Sequence, residues 1–359
     1  MTTASLSGPE LTAAADRLRS WLLSGAVQCD SGVHAGGVFG AFDADGTARY
    51  VYPEITGYYL HWLADVARDQ AAERPLLARA AQAAADWTTR QFENGAVPAT
   101  RAYVNGETES DWRNDAVFFF DLAMLLRGLC AATETGLITL PRNAVERVLA
   151  ELARLVDETG EIRAARRLTP DARLPVRWST VGGPFEVKAS SRVTLAARHI
   201  TVPPLLAQAC TALAQRYAAV AAQVPLEMLH PTLYFAEGIL VADPTSIDGV
   251  RILLQRLLAL QNADGSLPEA EDSTVPRSDI IAQALRIALL TREGAPTPAM
   301  ASLARALVQR IAPSGVLTFR PDAPQPQPNV WCAMFAEQAL RWQAGRLAGH
   351  ATPAAEWLV

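Results

Sequence analysis

Twelve stretches of helical periodicity follow one another with two alternating characters, and this alternation limits the fold more than any other property of the chain. The odd members, LTAAADRLRSWLL, LLARAAQAAADWTTRQF, NAVERVLAELARLV and VRILLQRLLAL among them, carry Arg, Glu and Gln on one face. The even members, such as ITGYYLHWLADVA, DAVFFFDLAMLL, PTLYFAEGILVA and VWCAMFAEQAL, are apolar or aromatic nearly all round. A helix without a polar face belongs in an interior. The pattern predicts helices over 9–24, 54–71, 76–92, 115–135, 142–158, 187–199, 203–222, 231–242, 246–261, 278–292, 298–312 and 329–346, with few convincing strands. The chain therefore reads as all-α.

The connections repeat the two-beat rhythm. Those after even helices are short, as DPTS at 243–246 and REGAPTP at 292–298, whereas those after odd helices run long at 26–53, 93–114 and 160–186. Long loops thus gather on one side. Glycines in FENGAVPA, DETGEIRA, QNADGSLPEA and APSGVLTF are expected to supply left-handed helix C-caps. Pairing the helices as six hairpins and closing them into a ring buries the even set. This gives an (α/α)6 toroid, expected as one domain over 1–359.

The phrases YPEITGYYL, ENGAVPA and QNADGSLPEA, with the repeated even-helix starts, resemble the six-hairpin glycosidase and N-acylglucosamine 2-epimerase group of (α/α)6 toroids over the full chain. The resemblance implies a carbohydrate-active enzyme. The Gln-x-x-Asp-Gly-Ser turn also recurs in terpenoid-cyclase toroids and polysaccharide lyases, so elimination and cyclisation stay open beside hydrolysis and epimerisation.

Composition removes other classes. The 359 residues carry 32 Lys and Arg against 37 Asp and Glu, a net charge of −5 without a basic cluster, which argues against a nucleic-acid partner. No run approaches the roughly 18 apolar residues of a membrane span, and MTTASLSGPE has no secretion signal, so a cytoplasmic location with no membrane partner is expected. Cys29, Cys130, Cys210 and Cys332 are dispersed without a CxxC pair and read as free thiols. GxxxxGK[ST], HExxH, GxSxG, DDxxD and DxDD are all missing. Cys332 and His230 begin even helices, and Cys29 and His34 share the first long loop, yet the Cys-His-Gly motif of lanthionine-cyclase toroids is not there. No metal or cofactor is expected, DADG at 43–46 reads as a plain turn, and the oligomeric state is left open.

In a toroid the even helices all begin at one rim, so their first residues should converge: Glu54, Asp115, Lys188, His230, Asp279 and Asn329. Hydrolysis at an anomeric centre needs one protonated and one ionised carboxyl. Glu54, behind Pro53 and facing a buried wall, is expected to be the acid, and Asp115 the base, with Asp279 in reserve. His230 and Lys188 would orient substrate. Tyr52, Tyr58, Trp112, Trp178 and Trp331 offer stacking surface, and Arg113, Glu186, Arg277 and Asn329 offer polar contacts. Asp115, Asp279 and Asn329 also suit plain N-caps. The expected activity is a glycoside hydrolase-type reaction on a small sugar or oligosaccharide. The alternatives are a sugar isomerase or epimerase using His230 with a carboxylate, a lyase or metal-free cyclase, and a carbohydrate-binding toroid without turnover.

Overall fold

The computed structural model describes residues 6–93, 97–104, 111–292 and 294–359. The chain opens on α1 (Gly8–Leu22), closed at its start by a reciprocal Ser7–Glu10 capping box. Twelve further α-helices follow among the described residues: α2 (Pro53–Asp69), α3 (Arg74–Phe92), α4 (Phe119–Glu134), α5 (Arg142–Ala153), α6 (Trp178–Val181), α7 (Glu186–Ala196), α8 (Pro204–Ala218), α9 (Leu229–Ala242), α10 (Ile247–Leu258), α11 (Ser278–Thr291), α12 (Pro298–Arg310) and α13 (Val330–Leu347). Every expected helix is present, and the single turn of α6 is an addition. The short strands are β1 (Phe39–Phe42), β2 (Ala48–Val51), β3 (Ala102–Tyr103), β4 (Ala116–Phe118) and β5 (Ala165–Arg167).

The chain divides into two compact units, one of Gly25–Gly40 and Ala48–Tyr217, the other of Ala41–Thr47, Ala218–Val359 and the described part of Met1–Ser24. In the first, α2, α4 and α7 lie side by side, with α3 against α2 and α5 against α4. The three inner helices are buried along nearly their whole length, α2 and α4 as their missing polar faces require, and α7 with Glu186, Lys188, Ser190, Ser191 and Arg192 taken inside. Backbones touch where α2 meets α4. A Cβ on Gly57 would stand 2.5 Å from the Leu125 Cα, and one on Gly128 would stand 2.2 Å from the Gly57 carbonyl oxygen. In the same unit β2 pairs antiparallel with β3, Tyr50 opposite Tyr103, and β4 pairs antiparallel with β5, Phe118 opposite Ala165.

In the other unit α9, α11 and α13 form the buried row, α10 and α12 pack on α11, and α1 packs on α13. Two expectations need correcting. The second inner helix starts at Phe119 rather than at 115, because Ala116–Phe118 is extended and hydrogen-bonded to β5. The turn glycines Gly160, Gly265 and Gly315 do have positive φ (84°, 87° and 85°) but close tight turns a few residues beyond α5, α10 and α12, instead of capping those helices. Their amides donate to the carbonyls of Asp157, Asn262 and Ala312. The turn assigned to FENGAVPA centres on Gly95, outside the described residues. Among the described residues no helix is long and apolar enough to cross a membrane.

Candidate functional site

In the α2–α8 unit, Tyr52 is the N-cap of α2, Pro53 fixes the first turn and Glu54 follows it. The Thr56 hydroxyl locks this start, donating to the Tyr52 carbonyl (2.9 Å) and accepting the Val38 amide (3.0 Å). Across from it Asp121 stands in the first turn of α4. Gly57 is one turn beyond Glu54, and Leu125 one turn beyond Asp121, so the close crossing of the two helices brings the carboxyls together. Both remain partly accessible.

The surrounding protein withdraws water from this pair and raises both acids. Burial pushes Glu54 up to about 7, against a Tyr52 hydrogen bond and the charges of Lys188 and Arg101, which act to lower it. Asp121 is held well above its ordinary value by burial and by the charges of Glu54 and Glu186. The nearby Tyr52 hydroxyl acts to lower both carboxyls, less strongly than burial raises them. Two raised carboxyls that feel each other's charge do not lose their protons independently.

Other groups edge this pair. Glu186 opens α7 and is buried, its oxygens without a hydrogen-bond partner among the described residues, and burial pushes it well above the carboxylate range. The Lys188 ammonium lies 4.8 Å from the Tyr58 ring centre. Tyr58 is fully buried, so it supports Lys188 and offers no accessible wall. Trp178 is partly accessible and meets Phe185 edge-on at 4.8 Å, and Phe185 leans on Phe120.

Asp115 takes no part in this group. It ends the one-turn 3-10 segment Trp112–Asp115, is exposed, and uses its backbone carbonyl to hold the Leu168 amide at 2.8 Å. The segment is capped by Asp111, which accepts from the Arg113 amide and guanidinium (3.0 and 3.1 Å), Arg101 (3.2 Å) and the Tyr103 hydroxyl (3.1 Å). Although burial raises the Asp111 carboxyl, these bonds and charges hold it below its ordinary value. Arg113 stacks on Trp112, 4.4 Å from its ring centre.

In the α9–α13 unit a second constellation surrounds Asp279. Its carboxylate takes a two-pronged ion pair from Arg277 (3.1 and 2.6 Å), the Ile280 amide (3.0 Å) and the Trp331 indole (3.5 Å). Burial pushes this carboxyl up, but Arg277, His230 and these bonds outweigh it and keep the pKa low, so Asp279 is ionised. His230 Nδ1 lies 3.1 Å from Asp279 Oδ2 and 2.8 Å from Gln283 Oε1. Facing two acceptors, Nδ1 carries the proton, and in the neutral ring Nε2 keeps its lone pair. Tyr234 packs on the imidazole at 4.2 Å, and Phe319 supports both Trp331 (5.8 Å) and Arg277 (4.4 Å). Asn329 is an N-cap, its side chain accepting the Cys332 amide at 2.9 Å. The Cys332 thiol is raised well above its ordinary value by burial and the charge of Asp279. No group of three or more His, Cys, Asp or Glu among the described residues is arranged to hold a metal.

Of the residues picked from sequence, the first unit thus groups Tyr52, Glu54, Glu186 and Lys188, and the second groups His230, Arg277, Asp279 and Trp331. Asp121, Arg101 and Gln283 were missed. Gln283 had a signal, since it lies four residues after Asp279 on the same helical face. Asp121 had one too, as the first polar residue after Phe118-Phe119-Phe120.

The fold that carries these side chains is that of the six-hairpin (α/α)6 toroids. The chain matches an unsaturated glucuronyl hydrolase specific for heparin with a TM-score of 0.67 at 12% identity, covering 96% of this chain and 99% of that one. It matches a cellobiose 2-epimerase from Spirochaeta thermophila with a TM-score of 0.67 at 13% identity over 95% and 98% of the two chains. A D-mannose isomerase gives 0.66 at 13% over 96% and 100%. No family model matches the sequence, and no curated relative is found by sequence comparison.

Proposed function

We propose that the chain is a carbohydrate-active enzyme of the glycoside hydrolase type in which Glu54 and Asp121 form the acid/base pair. The observation that carries this reading is the placing of two carboxyls one turn from the Gly57–Leu125 backbone contact, where burial raises Glu54 to about 7 and Asp121 well above its ordinary value. A pair holding one proton at neutral pH has one donor and one acceptor. The protonated member gives its proton to the glycosidic oxygen as the C–O bond breaks. The ionised member takes a proton from the water that attacks the anomeric carbon, so the pair ends with the proton it began with. Asp121 takes the place expected for Asp115. Lys188 and Arg101 limit the rise of Glu54, and Trp178 supplies a face for a sugar ring. The names of the similar structures, a glucuronyl hydrolase among them, support a sugar substrate. Four free cysteines suit a reducing cytoplasm.

The test is turnover of a panel of 4-nitrophenyl glycosides and reducing-end-labelled oligosaccharides by wild type, Glu54→Gln, Asp121→Asn and Asp115→Asn. The first two substitutions should each lower turnover by at least ~10²-fold, with Asp115→Asn near wild type. Loss in Asp115→Asn alone, with the other two fully active, sinks the pair.

A second reading rests on His230. An imidazole with its Nδ1 proton held by Asp279 and Gln283 is arranged to accept a proton at Nε2, the step an aldose isomerase or epimerase needs beside its carbonyl. Incubation of cellobiose, mannose and glucose in deuterated water separates the readings, because this chemistry can leave deuterium on C2 and glycoside hydrolysis does not.

A further inference from the structure

Residues 161–177 hold five arginines, Arg163, Arg166, Arg167, Arg173 and Arg177, against the two acids Glu161 and Asp171, a local +3 in a chain of net −5. This corrects the expectation that the chain has no basic cluster. Four of these arginines, with Thr169, line a groove of about 820 Å³ formed by β5 and the loop after it. The groove is built on fixed backbone, since β5 is laddered to β4 with Arg167 opposite Ala116 and Arg166 opposite Val117.

The protein neutralises only part of this charge. Arg166 reaches Glu151 at 2.9 Å and Arg163 reaches Asp157 at 3.6 Å. Arg167 spends one N–H on the Pro170 carbonyl at 3.3 Å, and Arg173 makes no hydrogen bond or ion pair among the described residues. The Arg166 Nε is buried without a hydrogen-bond partner among them. A concave surface with surplus guanidinium donors raises the local concentration of anions.

We propose that this groove binds a tetrahedral oxyanion, the phosphate or sulfate ester group of a ligand, between Arg167 and Arg173 with the Thr169 hydroxyl beside them. A carboxylate presents two coplanar oxygens and is satisfied by one guanidinium fork, whereas donors from separate chain positions along one groove suit an anion whose oxygens point in several directions. Ala165 on the groove strand pairs with Phe118, three residues before Asp121. In a sugar-processing enzyme the ester would be a handle on the substrate away from the reacting bond. Oxyanion binding itself does not rest on that reading.

The test is calorimetric titration of the full chain at low ionic strength with inorganic phosphate, pyrophosphate, sulfate and acetate. Glucose 6-phosphate and glucose 6-sulfate serve as the arms that separate the two esters. Wild type should bind one tetrahedral anion per chain, more tightly than acetate. Arg167→Ala/Arg173→Ala should weaken it by about tenfold or more with the melting temperature unchanged, because both side chains are exposed. Equal affinity in the double variant, or acetate binding as tightly as phosphate, overturns the site. So does binding seen only with a long polyanion such as a twelve-nucleotide thymidine strand, which would make the groove a non-specific charged surface. None of these outcomes depends on the Glu54→Gln or Asp121→Asn activities, so the groove and the carboxylate pair stand or fall separately.

Discussion

Gly57 lies directly against the backbone of Leu125, leaving no room for a side chain where α2 meets α4. That contact is one turn from Glu54 on one helix and one turn from Asp121 on the other, so it sets the spacing of the carboxyl pair. Gly57→Ala should therefore cost about 1 to 3 kcal/mol by overpacking, although alanine is the better helix former. Chemical denaturation measures the cost. If the variant is as stable as wild type, the helices can part freely, and the crossing does not fix the pair.

The raised Glu54 carboxyl makes stability fall as pH rises. Its unfolded value is 4.5 and its folded value about 7. Below the unfolded value both states hold the proton and the contribution is fully present. Between the two values the unfolded chain has already lost the proton that the largely desolvated native acid still holds, so about 3 kcal/mol is lost at roughly 1.4 kcal/mol per pH unit by the time pH passes the folded value. Glu54→Gln has no such proton and relieves Asp121 of a neighbouring charge, so its stability should be flatter between pH 4.5 and 7. Urea denaturation of both proteins at pH 4.5, 6 and 7.5 decides it, and parallel curves would remove the raised carboxyl.

The helices were readable because burial on all sides is a local pattern: the apolar segments ITGYYLHWLADVA, DAVFFFDLAMLL, PTLYFAEGILVA and VWCAMFAEQAL mark the inner helices α2, α4, α9 and α13, whereas α7 is an inner helix in spite of Glu186, Lys188 and Arg192. The start of α4 was not readable, because Ala116–Phe118 is held extended by Ala165–Arg167, nearly fifty residues away. That strand moves the helix start from Asp115 to Phe119, and with it the acidic first-turn position from Asp115 to Asp121. Arg101 lies beside β3, where no periodicity marks it. The Asp279 group was half readable. Arg277 and Asp279 adjoin in sequence, but the approach of His230 to Gln283 depends on how α9 packs on α11.

Asp279 has the opposite pH behaviour from Glu54. Its folded carboxyl is held below 3.8, so the stability it lends is present above that value and lost as pH falls through the folded one. Asp279→Asn removes the partner of the buried Arg277 guanidinium and should cost about 3 to 5 kcal/mol at neutral pH. Guanidinium denaturation checks the cost. Nitrogen-detected NMR should also show His230 no longer confined to the Nδ1–H tautomer, and an unchanged tautomer would assign that role to Gln283 alone.

Arg286 ties the three inner helices of the α9–α13 unit together. From α11 its guanidinium donates to Glu237 on α9 (2.6 Å), Gln338 on α13 (2.9 Å) and the Val359 carbonyl (2.8 Å), while lying 4.0 Å from the Phe335 ring centre. All four side chains are buried. Arg286→Met fills similar space but strands Glu237, so it should cost about 3 to 5 kcal/mol, and Glu237→Leu should cost a similar amount by stranding Arg286. The double variant removes both charges together. Its loss should be well below the sum of the single losses, because two of the penalties come from an unpaired buried charge that it no longer contains. Denaturation of the four proteins closes the cycle. Additive losses would mean that Arg286 stabilises through Gln338 and Val359, with the ion pair contributing little.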